Sequence, residues 1–119
     1  MDNVAETSLI DQEAGIEICG GNREIYLQIL SLMLDYEGGE KDRTLTDSYK
    51  NQDWMLFGNE VHALKSSAAG IGAVALSKAA KEMEAAVDGE DFNYVESHQE
   101  AFFKLLQDTI SEIHTILDA

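Results

Sequence analysis

Three histidines supply the chain's candidate nitrogen nucleophiles and metal ligands, and each sits in the same local pattern: Glu60-Val61-His62, Glu96-Ser97-His98 and Glu112-Ile113-His114. Helix bundles can hold paired metals through Glu-x-x-His, whose i,i+3 spacing puts both ligands on one face. Here the spacing is i,i+2, which separates the two side chains by about 200° around a helix axis. A di-metal centre is thereby excluded. No Walker-type loop, Gly-x-Ser-x-Gly elbow or His-Glu-x-x-His motif occurs, and the scattered glycines build no phosphate cradle. An ordinary enzyme is not expected, nor is a metal or cofactor bound by the chain itself.

His98 and His114 lie among polar neighbours or near the end of the last helix and read as solvated or structural. His62 differs. On its helix face the neighbouring positions i−4, i−3, i+3, i+4 and i+7 are Gly58, Asn59, Lys65, Ser66 and Ala69. Small residues leave the imidazole open to another protein's surface. Lys65, one of only eight basic residues, stands one turn away on the same side. A histidine can act as a nitrogen nucleophile toward phosphorus, and an ammonium can offset the charge on phosphoryl oxygens. The same spacing also fits a solvated histidine beside a lysine. Lys78 and Lys81 read as solvated charges.

Helices must position these groups. The chain has no Pro, few β-branched runs and recurrent three-to-four spacing of apolar residues. Gly20-Gly21, Gly38-Gly39, Gly70-x-Gly72 and Gly89 divide it, and Asp11, Asn22, Asp53 and Asp91 are candidate N-caps beside those breaks. Six helices are expected, near 12–18, 23–36, 40–50, 54–69, 74–88 and 92–117. The last shows a stripe of Val95, Phe102, Phe103, Leu106, Ile110 and Ile113. Residues 25–36 are apolar almost all round, as expected of a helix covered on two sides. Short connections make successive helices antiparallel, so the expected fold is all-α: an antiparallel up-down four-helix bundle with two additional short helices. Residues 1–10 are expected to be a flexible N-terminus, and 11–119 a single domain.

Composition narrows the partners. The 119 residues carry 8 Lys and Arg against 23 Asp and Glu, a formal charge of −15, which disfavours nucleic acid and anionic lipid. The single Cys19 forms no internal disulfide, residues 1–20 lack a basic signal region, and no apolar run is long enough to span a bilayer. A cytoplasmic protein without membrane insertion is expected. The absence of a heptad seam favours a monomer.

The run His62-Ala-Leu-Lys65-Ser-Ser-Ala-Ala-Gly-Ile-Gly72-Ala73, followed by Leu76 and Met83-Glu84, resembles the signature of histidine-containing phosphotransfer (HPt) domains of bacterial multistep phosphorelays. Upstream, Gly20-Gly21-Asn22-Arg-Glu-Ile-Tyr26-Leu-Gln-Ile-Leu30 is similar to the segment opening that family's first long helix. The resemblance implies a phosphocarrier: His62 accepts a phosphoryl group, Lys65 supports it, and the partners are receiver domains of response regulators or of a hybrid histidine kinase. Mg²⁺ is then expected on the receiver. Docking is expected on the small-residue face with Met55, Gly58, Asn59, Ser66 and Ala69. The family usually has Gly where this chain has Ser66.

Glu84 occupies a position where the family often has a polar partner for the histidine ring. If helices 54–69 and 74–88 form a hairpin turning near residue 71, the axial counterpart of His62 is near residue 81. Side chains tilt toward each helix's own N-terminus, which displaces the partner outward to about 84. Glu84 could then accept from Nδ1–H and leave Nε2 with a free lone pair; it also fits one more acidic surface residue. Two other readings remain at the level of sequence. One is a docking module that carries no phosphate. The other is the histidine-bearing domain of a chemotaxis-type kinase, phosphorylated from ATP by a separate catalytic domain.

Overall fold

The computed structural model describes residues 8–35 and 42–119. Six α-helices occupy the described residues, with no strand: α1 (Gln12–Ile18), α2 (Arg23–Asp35), α3 (Asp42–Lys50), α4 (Trp54–Gly70), α5 (Val74–Asp88) and α6 (Phe92–Asp118). The expected break at Gly38-Gly39 lies outside the described residues. Asp11, Asn22, Asp53 and Asp91 accept from the backbone N–H groups of Ala14, Ile25, Leu56 and Tyr94, which satisfies donors that the first turns of α1, α2, α4 and α6 would otherwise leave orphaned.

The described ends of α1, α3, α4 and α5 close alike. A backbone N–H returns five residues to a carbonyl (Gly21 to Ile16, Asp53 to Ser48, Ala73 to Ala68, Asp91 to Ala86), and the residue before it bonds three residues back. This is the Schellman arrangement, which places its penultimate residue in the left-handed region. Gly20 and Gly72 fill that position in α1 and α4, with φ of 86° and 83°, but Gln52 and Glu90 fill it in α3 and α5, with φ of 57° and 55°. Gly89 is therefore not the left-handed residue; it is the cap one position earlier, with φ −86°.

Helices α4 and α5 form the most extensive pair. α6 packs on α5 and α2, α3 packs on α4, and α1 bridges α2 and α4. The core runs through Tyr26, Leu30, Leu45, Phe57, Val61, Leu64, Leu76, Met83, Val95, Leu106 and Ile113, all essentially inaccessible. α1 enters closely because Gly15 lacks a side chain: a Cβ there would collide with the Tyr26 ring and the Ile71 carbonyl. Tyr26 is fully buried and its hydroxyl donates to Ile71 O at 2.8 Å, tying α2 to the α4–α5 turn.

One expectation requires correction. α2 is not covered on two sides: Ile25 is 45% and Leu32 67% exposed. Leu32 and the exposed Ile18 flank an open apolar groove of about 480 Å³, floored by Ile29, Met33, Ile71 and the small residues Ser66, Ser67 and Gly70 of α4. Residues 8–10 are held against α6. The Glu112 carboxylate on α6 accepts from the Ser8 hydroxyl and from the N–H groups of Leu9 and Ile10, and Ile10 is buried. Charged acceptors for three donors, together with an apolar anchor, hold this segment. Residues 1–7 lie outside the described residues.

Candidate functional site

α4 sets the geometry. Phe57, Val61, Leu64 and Ala68 bury one face against the core, so the opposite face must carry His62, Ser66 and Ala69 outward. All three are exposed, as is Asn59, while Met55 is 81% exposed at the start of the helix. Gly58 lies beside α5, where a Cβ would come within 3.3 Å of Val87 Cγ1. The His62 side chain is 62% exposed. Its Nδ1 lies 2.5 Å from Glu84 Oε2. The other oxygen of the same carboxylate, Oε1, accepts from Lys65 Nζ at 2.7 Å.

The α4–α5 hairpin thus brings His62, Lys65 and Glu84 onto one carboxylate. The Ser77 hydroxyl donates to the Lys65 carbonyl at 3.0 Å, a further tie between the helices at this level. The Lys65 ammonium, then the His62 ring, hold the Glu84 carboxyl below its ordinary value of 4.5, against the opposing effect of burial. An ionised carboxylate only accepts, so the hydrogen in the short contact sits on Nδ1. In the neutral ring the lone pair then belongs to Nε2, on a side chain that is largely exposed. The cation is committed too: Lys65 rests on Glu84.

Along α4 from His62 runs a second open groove of 740 Å³, lined by Trp54, Met55, Gly58, Asn59, His62, Glu84, Val87, Asp88, Glu90 and Phe92. Trp54 at the start of α4 stacks on Phe92 at the start of α6, centroids 4.8 Å apart and planes 19° from parallel. His98 stands elsewhere, stacked on Tyr94 with its Nδ1 2.9 Å from the Tyr94 carbonyl, and His114 is exposed on α6. Lys78 borders the N-terminal segment, and Lys81 is exposed on α5 without reaching His62. Among the described residues no group of three or more His, Cys, Asp or Glu converges as metal ligands do. Nor does any helix of theirs have the length and apolarity to cross a membrane.

The family model for the Hpt domain matches residues 26–118, from the buried Tyr26 of α2 to the last residue of α6. The chain belongs to the Hpt domain family. Hpt domains serve histidine phosphotransfer in phosphorelays, as phosphocarriers that interact with receiver domains, and the all-helical architecture agrees with that family. No curated protein and no solved structure matches the chain. α1 precedes the matched region, joined to this Hpt domain through Gly15, Tyr26 and Ile71. The spacing of residues did not show the Trp54–Phe92 stack or the Asp88–Glu90 rim of the groove beside His62. An aromatic directly after an Asp cap, repeated in Asp53-Trp54 and Asp91-Phe92, was the available signal.

Proposed function

We propose that this Hpt domain is a relay intermediate whose His62 accepts a phosphoryl group from an aspartyl phosphate of one receiver domain and passes it to the aspartate of another. The reading rests on one observation above the others: Nδ1 of His62 is engaged by Glu84 while the ring is 62% exposed, which directs the reactive lone pair outward. In the forward step the Nε2 lone pair attacks phosphorus, the P–O bond to the aspartate breaks, and its electron pair leaves with the aspartate carboxylate. The proton on Nδ1 stays in place, so the ring gains positive charge where Glu84 can offset it. The second transfer reverses these roles. Mg²⁺ held by the receiver supplies the main neutralisation in the loose in-line transition state, with Lys65 contributing a cation from this side.

The four long helices α2, α4, α5 and α6 serve as an antiparallel up-down bundle that presents this face, with α1 and α3 as the added short helices. Docking uses Met55, Gly58, Asn59, Ser66 and Ala69. The apolar groove beside Ser66, rimmed by the exposed Ile18 and Leu32, extends that face with the kind of patch a transient interface covers. The protein acts as a monomer. Incubation with a ³²P-phosphorylated receiver is expected to give acid-labile, alkali-stable label on the wild type and none on His62→Gln. Equal labelling of the two would refute the assignment.

A further inference from the structure

The groove between the start of α4 and the end of α5 combines an apolar wall with charge of one sign. Trp54 backed by Phe92, together with Met55 and Val87, forms the wall, and Gly58 keeps it open because it contributes no side chain. Its ionisable lining is His62, Glu84, Asp88 and Glu90, with no Lys or Arg. Glu84 is occupied by His62 and Lys65. Among the described residues Asp88 and Glu90 form no ion pair.

An apolar channel ending on unpaired carboxylates matches a side chain with a long apolar stem and a cationic head. The stem, or a guanidinium plane, lies on the indole while the head reaches the carboxylates. An interface of ordinary size covers about 800 Å² per partner, a disc of about 16 Å radius. A receiver centred on His62 must therefore cover this groove, whose lining includes that histidine. We propose that the groove selects receivers by taking up a lysine or arginine from their docking face, with Asp88 and Glu90 as the specificity-determining charges. This inference rests on the relay reading above. It assigns to the far end of the His62 face a role in partner choice, separate from the transfer chemistry.

The test uses the full chain and purified receiver domains phosphorylated with acetyl phosphate, retaining those that label wild-type His62. Absence of label from every receiver overturns the relay itself. Glu90→Gly is a benign fold probe, because φ 55° is a conformation glycine adopts freely, and Asp88→Asn removes the second charge. The double variant is expected to raise KM for the phospho-receiver about three- to tenfold at low ionic strength with kcat unchanged. The gap should close in 0.5 M salt, where screening acts over about 4 Å. Glu90→Lys should raise KM further, and a compensating Lys→Glu or Arg→Glu change on the receiver should restore it. A KM within twofold of wild type, or an increase that persists in high salt, overturns the groove assignment while leaving the relay standing. If Met55→Ala raises KM and the carboxylate variants do not, the occupant is apolar and the assignment is likewise overturned.

Discussion

Replacing Glu84 by Ala removes the one carboxylate on which His62 and Lys65 converge. Oε2 meets His62 Nδ1 at 2.5 Å and Oε1 meets Lys65 Nζ at 2.7 Å. Hydrogen bonds involving a charged group contribute about 1.5–3 kcal/mol each. The ring is 62% exposed, so water competes for Nδ1–H, and the lower end, about 1.5 kcal/mol, is the appropriate value for what the carboxylate contributes as the ring gains positive charge during transfer. Since 1.36 kcal/mol corresponds to a factor of ten, single-turnover transfer to His62 is expected to slow about tenfold in Glu84→Ala. Glu84→Gln keeps one acceptor oxygen. That oxygen is expected to turn toward Nδ1–H, because Lys65, 30% exposed, can find water instead. A neutral acceptor has roughly half the strength, so the loss should be about threefold. Rapid-quench transfer from a phosphorylated receiver gives the rates, and ¹⁵N-detected imidazole shifts give the tautomer. A wild-type rate in Glu84→Ala, with hydrogen still on Nδ1, would refute the claim that this carboxylate controls the ring.

Because the Glu84 carboxyl is held below its ordinary value of 4.5, its stabilising contribution is complete above that pH and is lost as pH falls through the lower folded value. The stability difference between wild type and Glu84→Ala, measured by urea titration, should shrink as pH falls below that ordinary value. Tyr26→Phe leaves the buried Ile71 carbonyl without its donor and should cost about 1–3 kcal/mol, read as a lower urea midpoint at unchanged slope. Burial, foremost, raises the Tyr26 phenol to about 12; its contribution is intact below pH 10 and fades toward 12, which ultraviolet titration of wild type against Tyr26→Phe will register. Gly72→Ala forces a side chain onto φ 83° and into the Asp11 carbonyl. A loss of at least about 2 kcal/mol is expected, with raised hydrogen exchange in α1.

The helices were legible because their punctuation is local. Asp11, Asn22, Asp53 and Asp91 cap the first turns where they stand in the sequence, and the α4 stripe of Phe57, Val61, Leu64 and Ala68 is the buried stripe. Less visible were features decided by what lies across a gap. Nothing in the α2 sequence distinguishes Leu30, fully buried, from Leu32, 67% exposed, because both lie in a helix apolar around most of its circumference and only the placement of α6 and α1 decides which face is roofed. The left-handed positions were hidden for a different reason. Gln52 and Glu90 occupy a conformation that usually advertises itself through glycine, and Gly89, the obvious candidate, sits one residue too early. Glu112, read only as part of a Glu-x-His repeat, anchors Ser8 to Ile10 across more than a hundred residues of sequence.

The candidate site shows the same division at finer grain. Spacing put His62 and Lys65 on one side of a helix, and the tilt of side chains in an antiparallel hairpin directed attention to Glu84. What spacing could not express is that one carboxylate is shared by both. In the proposed relay this changes the part played by Lys65. It is not a free cation awaiting phosphate but one already compensated by Glu84 at 2.7 Å, so a phosphoryl group on Nε2 must compete for it with that carboxylate. The dianionic phosphoryl offers the larger charge, whereas Glu84 offers a contact already formed between adjacent helices and less exposed than the ring. Whatever share of Lys65 the phosphoryl draws away frees Glu84 to attend to Nδ1–H, which is where the ring's new positive charge lies. Stabilisation of the phosphorylated ring and retention of its tautomer are therefore coupled through a single side chain, and neither can be removed without disturbing the other.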